Sequence, residues 1–139
     1  MIYEEFLATV SARGGLESRA RAAAIVRATV QTLAERLDEP RQLAAELPPE
    51  LARYAVRPAD LGADPFGVGE FVGRVAERAD LSHGDALRLA RLVVSELAGA
   101  TTPDRVAALC GTLPAEWRTL LDGRAAGDGV RERSVMGDR

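Results

Sequence analysis

Apolar positions recur along the chain with a helical period, and then the whole pattern recurs. Tyr3, Phe6, Leu7 and Val10 fall at i, i+3, i+4 and i+7, and so do Val68, Phe71, Val72 and Val75. That spacing puts each set on one face of a helix. Gly14-Gly15 closes the first of these helices, and Arg13 in its last turn suits the negative end of the helix dipole. Ala79-Asp80 stands in the matching place of the second, where the break is less sharply written. A longer helix follows in each half. Ala23, Val26, Val30, Leu33 and Leu37 form the first stripe, with Arg27, Gln31 and Glu35 off it. Ala86, Ala90, Val93 and Leu97 form the second, opened by Ser82 and Asp85 in the spacing of a capping box. Asp38-Glu39-Pro40 and Thr102-Pro103-Asp104 each write a proline start. The short helices they begin carry Leu43, Ala44 and Leu47, or Val106, Ala107, Leu109 and Leu113. Pro48 and Pro114 break these and open one more short turn, ending near Tyr54 or Leu121.

The recurrence is specific enough to define an internal repeat. Phe6, Val10, Arg13 and Leu16 return as Phe71, Val75, Arg78 and Leu81, each 65 residues later. Leu47-Pro48-x-Glu50-Leu51 returns as Leu113-Pro114-x-Glu116-Trp117. No sustained period-two alternation appears, so the expected class is all-α. The expected architecture is two tandem repeats of about three or four helices each, packed into one pseudo-twofold domain over 1–122. Repeat 1 covers 1–56 and repeat 2 covers 66–122. The connector 57–65 holds two prolines and a glycine, and 123–139 reads as a flexible tail. A unit of about 50–55 residues has a marginal core alone, so the two are expected to cover each other's apolar faces. Two separate units on the connector are the rival arrangement.

Composition narrows the function classes. The chain has 139 residues, a hydrophobic share of 47% and a charged share of 28%, a globular balance. All 18 basic residues are Arg, as a GC-rich coding sequence would give, and the net charge of −3 argues against a cationic nucleic-acid module. A single Cys and a single His exclude an internal disulfide scaffold and argue against a structural zinc site. No apolar run approaches the roughly 20 residues of a membrane span. The acidic start Met1-Ile2-Tyr3-Glu4-Glu5 lacks the pattern of a signal peptide. A cytoplasmic protein with no membrane association and a reduced Cys110 is the expectation.

The Tyr3-Glu4-Glu5-Phe6 start, the Phe-x-x-x-Val-x-x-Arg block, the long alanine-rich helix and the Leu-Pro-x-Glu block resemble a bacterial family known as domain of unknown function 2267. The resemblance spans roughly residues 1 to 121, and the last three features are duplicated here. It implies a small helical protein and carries over no catalytic residue. The second copy departs from the first at Gly69 and Gly73, inside its opening helix, where that helix is expected to fray or to pack unusually closely.

Few residues carry a chemical signal. Gly67-x-Gly69-x-x-x-Gly73 is neither a dinucleotide fingerprint nor a Walker loop, and no strand precedes it. His83 sits in a helix start beside Gly84, and Cys110 lies near a helix end without a neighbouring base, so each reads as structural. Arg13 and Arg78 are duplicated together with Glu50 and Glu116. These four positions form either an anion site at the repeat junction or ion pairs within each copy. The structural pairing is preferred, because a buried Arg needs a partner. Arg13, Arg19, Arg21 and Arg27 face a single Glu17 and form a locally basic strip, the basis of a nucleic-acid alternative. Leu89 and Leu92 widen the apolar face of their helix and await either the first repeat or another chain. The expected function is a non-enzymatic protein-protein interaction or self-association module, with an unidentified protein or a second copy as partner and no cofactor. The alternative is a small-molecule, anion-binding or enzymatic pocket at the repeat junction.

Overall fold

The computed structural model describes residues 1–58, 61–100 and 108–121, and every regular element among them is helical. In chain order these are α1 (Tyr3–Gly14), α2 (Arg19–Arg36), α3 (Pro40–Ala44), α4 (Pro49–Ala52), α5 (Val68–Ala79), α6 (His83–Ala100) and α7 (Ala115–Leu121). Residues 108–110 are helical as well. The expected Thr102-Pro103-Asp104 start and the 123–139 tail lie outside the described residues.

Local sequence explains the helix ends. The Ser18 hydroxyl accepts from the Arg21 amide at 3.1 Å and opens α2, and the Ser82 hydroxyl accepts from the Asp85 amide at 3.1 Å and opens α6. Each supplies an acceptor to an amide that has no helical partner. Helix α1 stops because Gly15 turns left-handed at φ 66°, which lets the Leu16 amide reach back to the Ser11 carbonyl at 2.9 Å. Helix α5 stops the same way at Asp80, φ 57°, with the Leu81 amide on the Ala76 carbonyl at 2.9 Å. A short polar side chain tolerates this conformation better than most, which is why the break exists without a glycine.

The packing follows the stripes. Helix α2 packs against α1, α5 and α6, and α6 packs against α1, α5 and α7. Phe6, Val10, Phe71 and Val75 are buried, while Leu16 and Leu81 are half-buried against them. One hydrophobic cluster takes in residues from α1 through Trp117 on α7, so the described parts of 1–56 and 66–118 line a shared interior. The two buried threonines beside it are satisfied locally. The Thr29 and Thr32 hydroxyls donate to the Ile25 and Ala28 carbonyls at 2.8 and 2.7 Å.

Two expectations about packing are corrected or resolved. Leu89 is buried and Leu92 half-buried, and both lie against Gly14 at the end of α1, so the extra apolar face of α6 is covered within the chain. Gly69 and Gly73 neither interrupt α5 nor sit in a tight contact, for a Cβ built on either meets nothing within 4 Å. Each glycine therefore costs backbone entropy with no packing return. The double change Gly69→Ala, Gly73→Ala is expected to stabilise by about 1–2 kcal/mol, read as a higher midpoint in thermal unfolding. No gain would mean that the open space beside α5 is occupied in the working protein.

Candidate functional site

The polar side chains that converge do so where α2, α5 and the connector meet. Glu35 is half-buried on α2 and faces two guanidiniums of α5. Its carboxylate lies 3.1 Å from Arg74 and 2.9 Å from Arg78. Arg74 also reaches Asp64 and Glu70, each at 2.9 Å, and lies 4.1 Å over the Phe66 ring. Bonds to Glu70 and then Asp64 push the Arg74 pKa above its ordinary value against the opposing effect of burial, and the bond to Glu35 adds to the rise. Arg78 donates to the Thr32 hydroxyl at 2.8 Å as well. The cluster is therefore a locked set of charges, and each of these cations already has its anion.

This corrects the expected pairing within each copy. Arg13 pairs with Glu96 on α6 at 3.1 Å, and Arg78 pairs with Glu35 on α2. Among the described residues no ion pair joins Arg13 to Glu50 or Arg78 to Glu116. The reason is topological. Helix α1 packs against α6 as well as α2, and α5 against α2 as well as α6, so each Arg has a carboxylate on a helix of the other segment within reach. Glu35, Glu96 and Arg74 were not singled out by sequence. The available signal was the run Glu70, Arg74, Arg78, which four-residue spacing places on one helix face.

Beside this cluster the connector folds back on α2. Arg57 donates to the Ala34 carbonyl at 2.5 Å and the Leu37 carbonyl at 2.8 Å, capping the end of α2, and to Leu61 at 2.9 Å. A cleft of about 500 Å³ opens between α2, the α4 end and the connector, lined by Gln31, Glu35, Arg53, Tyr54, Arg57 and Arg74 among others. A second, of about 560 Å³, lies on the far side of the connector against Asp38, Glu39 and Arg41. Val56 and Leu61 line both clefts, 59% and 56% exposed. At one lip, the Arg53 and Arg27 guanidiniums lie 5.0 and 5.7 Å from the centre of the Tyr54 ring, and Arg53 donates to the Tyr54 hydroxyl at 3.0 Å.

The remaining candidates find structural places. Gly67 caps α5 and Gly69 and Gly73 lie within it, so no phosphate loop forms. His83 is exposed at the start of α6. The basic strip is split: Arg13 pairs with Glu96, Arg19 with Glu4, and Arg21 donates to the Ala79 carbonyl at 2.9 Å, leaving Arg27 on Tyr54. No group of three or more His, Cys, Asp or Glu placed to hold a metal occurs among the described residues. No helix among them is long and apolar enough to cross a membrane.

Cys110 is half-buried, and burial pushes its thiol up to about 11 from an ordinary 9.0. Only the thiolate attacks an alkylating reagent. Iodoacetamide labelling at pH 8 is therefore expected to run roughly 100-fold slower in the native protein than in the unfolded chain. The unfolded thiol ionises first on raising the pH, so this contribution to stability is complete below about 9 and is lost on the way to about 11. Labelling at equal rates before and after unfolding would contradict the placement of Cys110.

Residues 3–120 match a family model described as "Uncharacterized conserved protein (DUF2267)". Comparison with curated proteins gives no match, and comparison with solved structures gives none.

Proposed function

The chain belongs to the DUF2267 family of uncharacterised conserved proteins, and from that premise we propose that it is a non-enzymatic interaction module, a doubled helical unit whose contact face is the connector side. The observation that carries this reading is the pair Val56 and Leu61. They stand more than half exposed between two clefts, while the rival apolar face at Leu89 and Leu92 is covered within the chain. Large apolar side chains held outward beside concave surface suit a protein contact.

The doubling itself is supported by matched positions. Ser18 and Ser82 open α2 and α6, left-handed Gly15 and Asp80 close α1 and α5, and Leu51 and Trp117 are both fully buried. The exchange of arginines fits the same reading. Arg13 reaches Glu96, and Arg78 reaches Thr32, which holds the place of Glu96 on the earlier helix. Such reciprocity is what a pseudo-twofold packing of two repeats produces.

The test is comparative capture. Val56→Glu with Leu61→Glu should leave stability within about 0.5 kcal/mol, since both positions are exposed. Proteins retained from the source cell by the unaltered chain should be lost with this variant and kept by an Ile2→Glu control. Identical sets would overturn the proposal. Light scattering at rising concentration tells a second copy from a different partner. A second reading has its own support: the 500 Å³ cleft exceeds the roughly 300 Å³ a small ligand needs and has polar walls, as an anion or small-molecule pocket would.

A further inference from the structure

The connector face has an uneven charge. At its α5 end, Arg74 and Arg78 are met by Glu35, Asp64 and Glu70, so the cations there are more than matched. In the middle, the Arg57 guanidinium is spent on backbone carbonyls. At the Tyr54 end the balance reverses. Arg27 and Arg53 are both exposed, both lie on the Tyr54 ring, and neither takes part in an ion pair among the described residues. The ring is a shared neighbour of both forks and neutralises neither. The Tyr54 hydroxyl already accepts from Arg53, which leaves its own proton to donate outward. Two guanidiniums and a phenol O–H around one ring offer donors in excess, since the one acceptor among them, the hydroxyl oxygen, is already taken by Arg53. That set matches a carboxylate, which accepts through both oxygens. Val56 and Leu61 lie along the same cleft.

We infer that the face takes an acidic segment of a partner protein, one carboxylate seated on Arg27, Arg53 and Tyr54 and a neighbouring apolar side chain on Val56 and Leu61. This rests on the connector face being the contact surface, and it adds the chemistry of what binds there. The apolar pair is what favours a protein segment over a free anion, since a small oxyanion has no use for it.

The test uses ¹⁵N-labelled full chain and end-blocked peptides of about ten residues with leucine and one polar residue in alternation. The polar residue is Glu, Gln or Lys. The Leu/Glu peptide is expected to shift the backbone signals of Arg53, Tyr54 and Val56 and the side-chain Nε–H signals of Arg27 and Arg53. Its affinity should fall at least about tenfold in the Arg27→Ala, Arg53→Ala variant and should fall with added salt. Equal shifts from the Leu/Gln or Leu/Lys peptide would overturn the acidic preference. So would shifts reproduced in full by inorganic phosphate, which would point to a free anion, or no shift at these residues from any peptide. None of these outcomes touches the connector face as a contact surface, which fails separately if capture is unchanged by the Val56 and Leu61 variant.

Discussion

Trp117→Ala is expected to destabilise the protein by about 3–5 kcal/mol, the largest effect of any single change considered. The ring is fully buried, meets Phe71 edge-on at 5.2 Å between centroids and Phe66 at 6.2 Å, and lies 5.5 Å beneath the Arg36 guanidinium. It is the residue by which α7 closes over α5 and α6. Removing it opens a cavity between three helices that cannot collapse together, because Arg36 is tied to the Phe66 carbonyl at 2.9 Å and holds one wall. Trp117→Phe keeps an aromatic anchor and should cost less, about 1.5 kcal/mol or under. Guanidinium chloride unfolding followed by far-ultraviolet circular dichroism reads both, since the chain has one Trp and fluorescence is lost with it. A cost below about 1 kcal/mol for Trp117→Ala would show that α7 is not part of the cooperative unit.

How much of this was legible depended on whether a property belongs to one helix or to a crossing of two. The stripes were legible, because period alone places Phe6, Val10, Phe71 and Val75 inward, and they are buried. The Pro40 start and the Ser82 cap were legible for the same local reason. The matching cap at Ser18 was equally local but lacks the acidic residue three positions on, so the pattern that marks Ser82 is missing there. The arginine partners were not legible. Which carboxylate Arg13 or Arg78 meets is fixed by which helices lie side by side, and spacing within one repeat carries no information about that. The candidate face was harder still. Arg27 and Tyr54 are far apart in sequence, and Val56 and Leu61 flank Pro58 in a segment with no period to read. Only the fold of the connector onto α2, through Arg57, brings Tyr54, Val56 and Leu61 to one cleft, with Arg27 beside the Tyr54 ring.

Gly14 carries a second message that its role as a helix terminator concealed. It is buried, and a Cβ there would stand 3.0 Å from one methyl of Leu89 and 3.3 Å from atoms of Leu16 and Leu92. Glycine at this point lets α1 and α6 come together, and the residue 65 positions on is the buried Ala79. Gly14→Val puts three carbons into filled space and is expected to cost about 1–3 kcal/mol through overpacking. Leu89→Ala removes the side chain that Gly14 receives and is expected to cost about 2–4 kcal/mol through the cavity left. In the double variant the valine fills part of the space the leucine vacated. The combined loss should therefore fall short of the sum by at least about 0.5 kcal/mol, measured by chemical unfolding of all four proteins. Additive losses would mean that the two side chains do not share a space, and the contact through which α1 covers the apolar face of α6 would have to be abandoned.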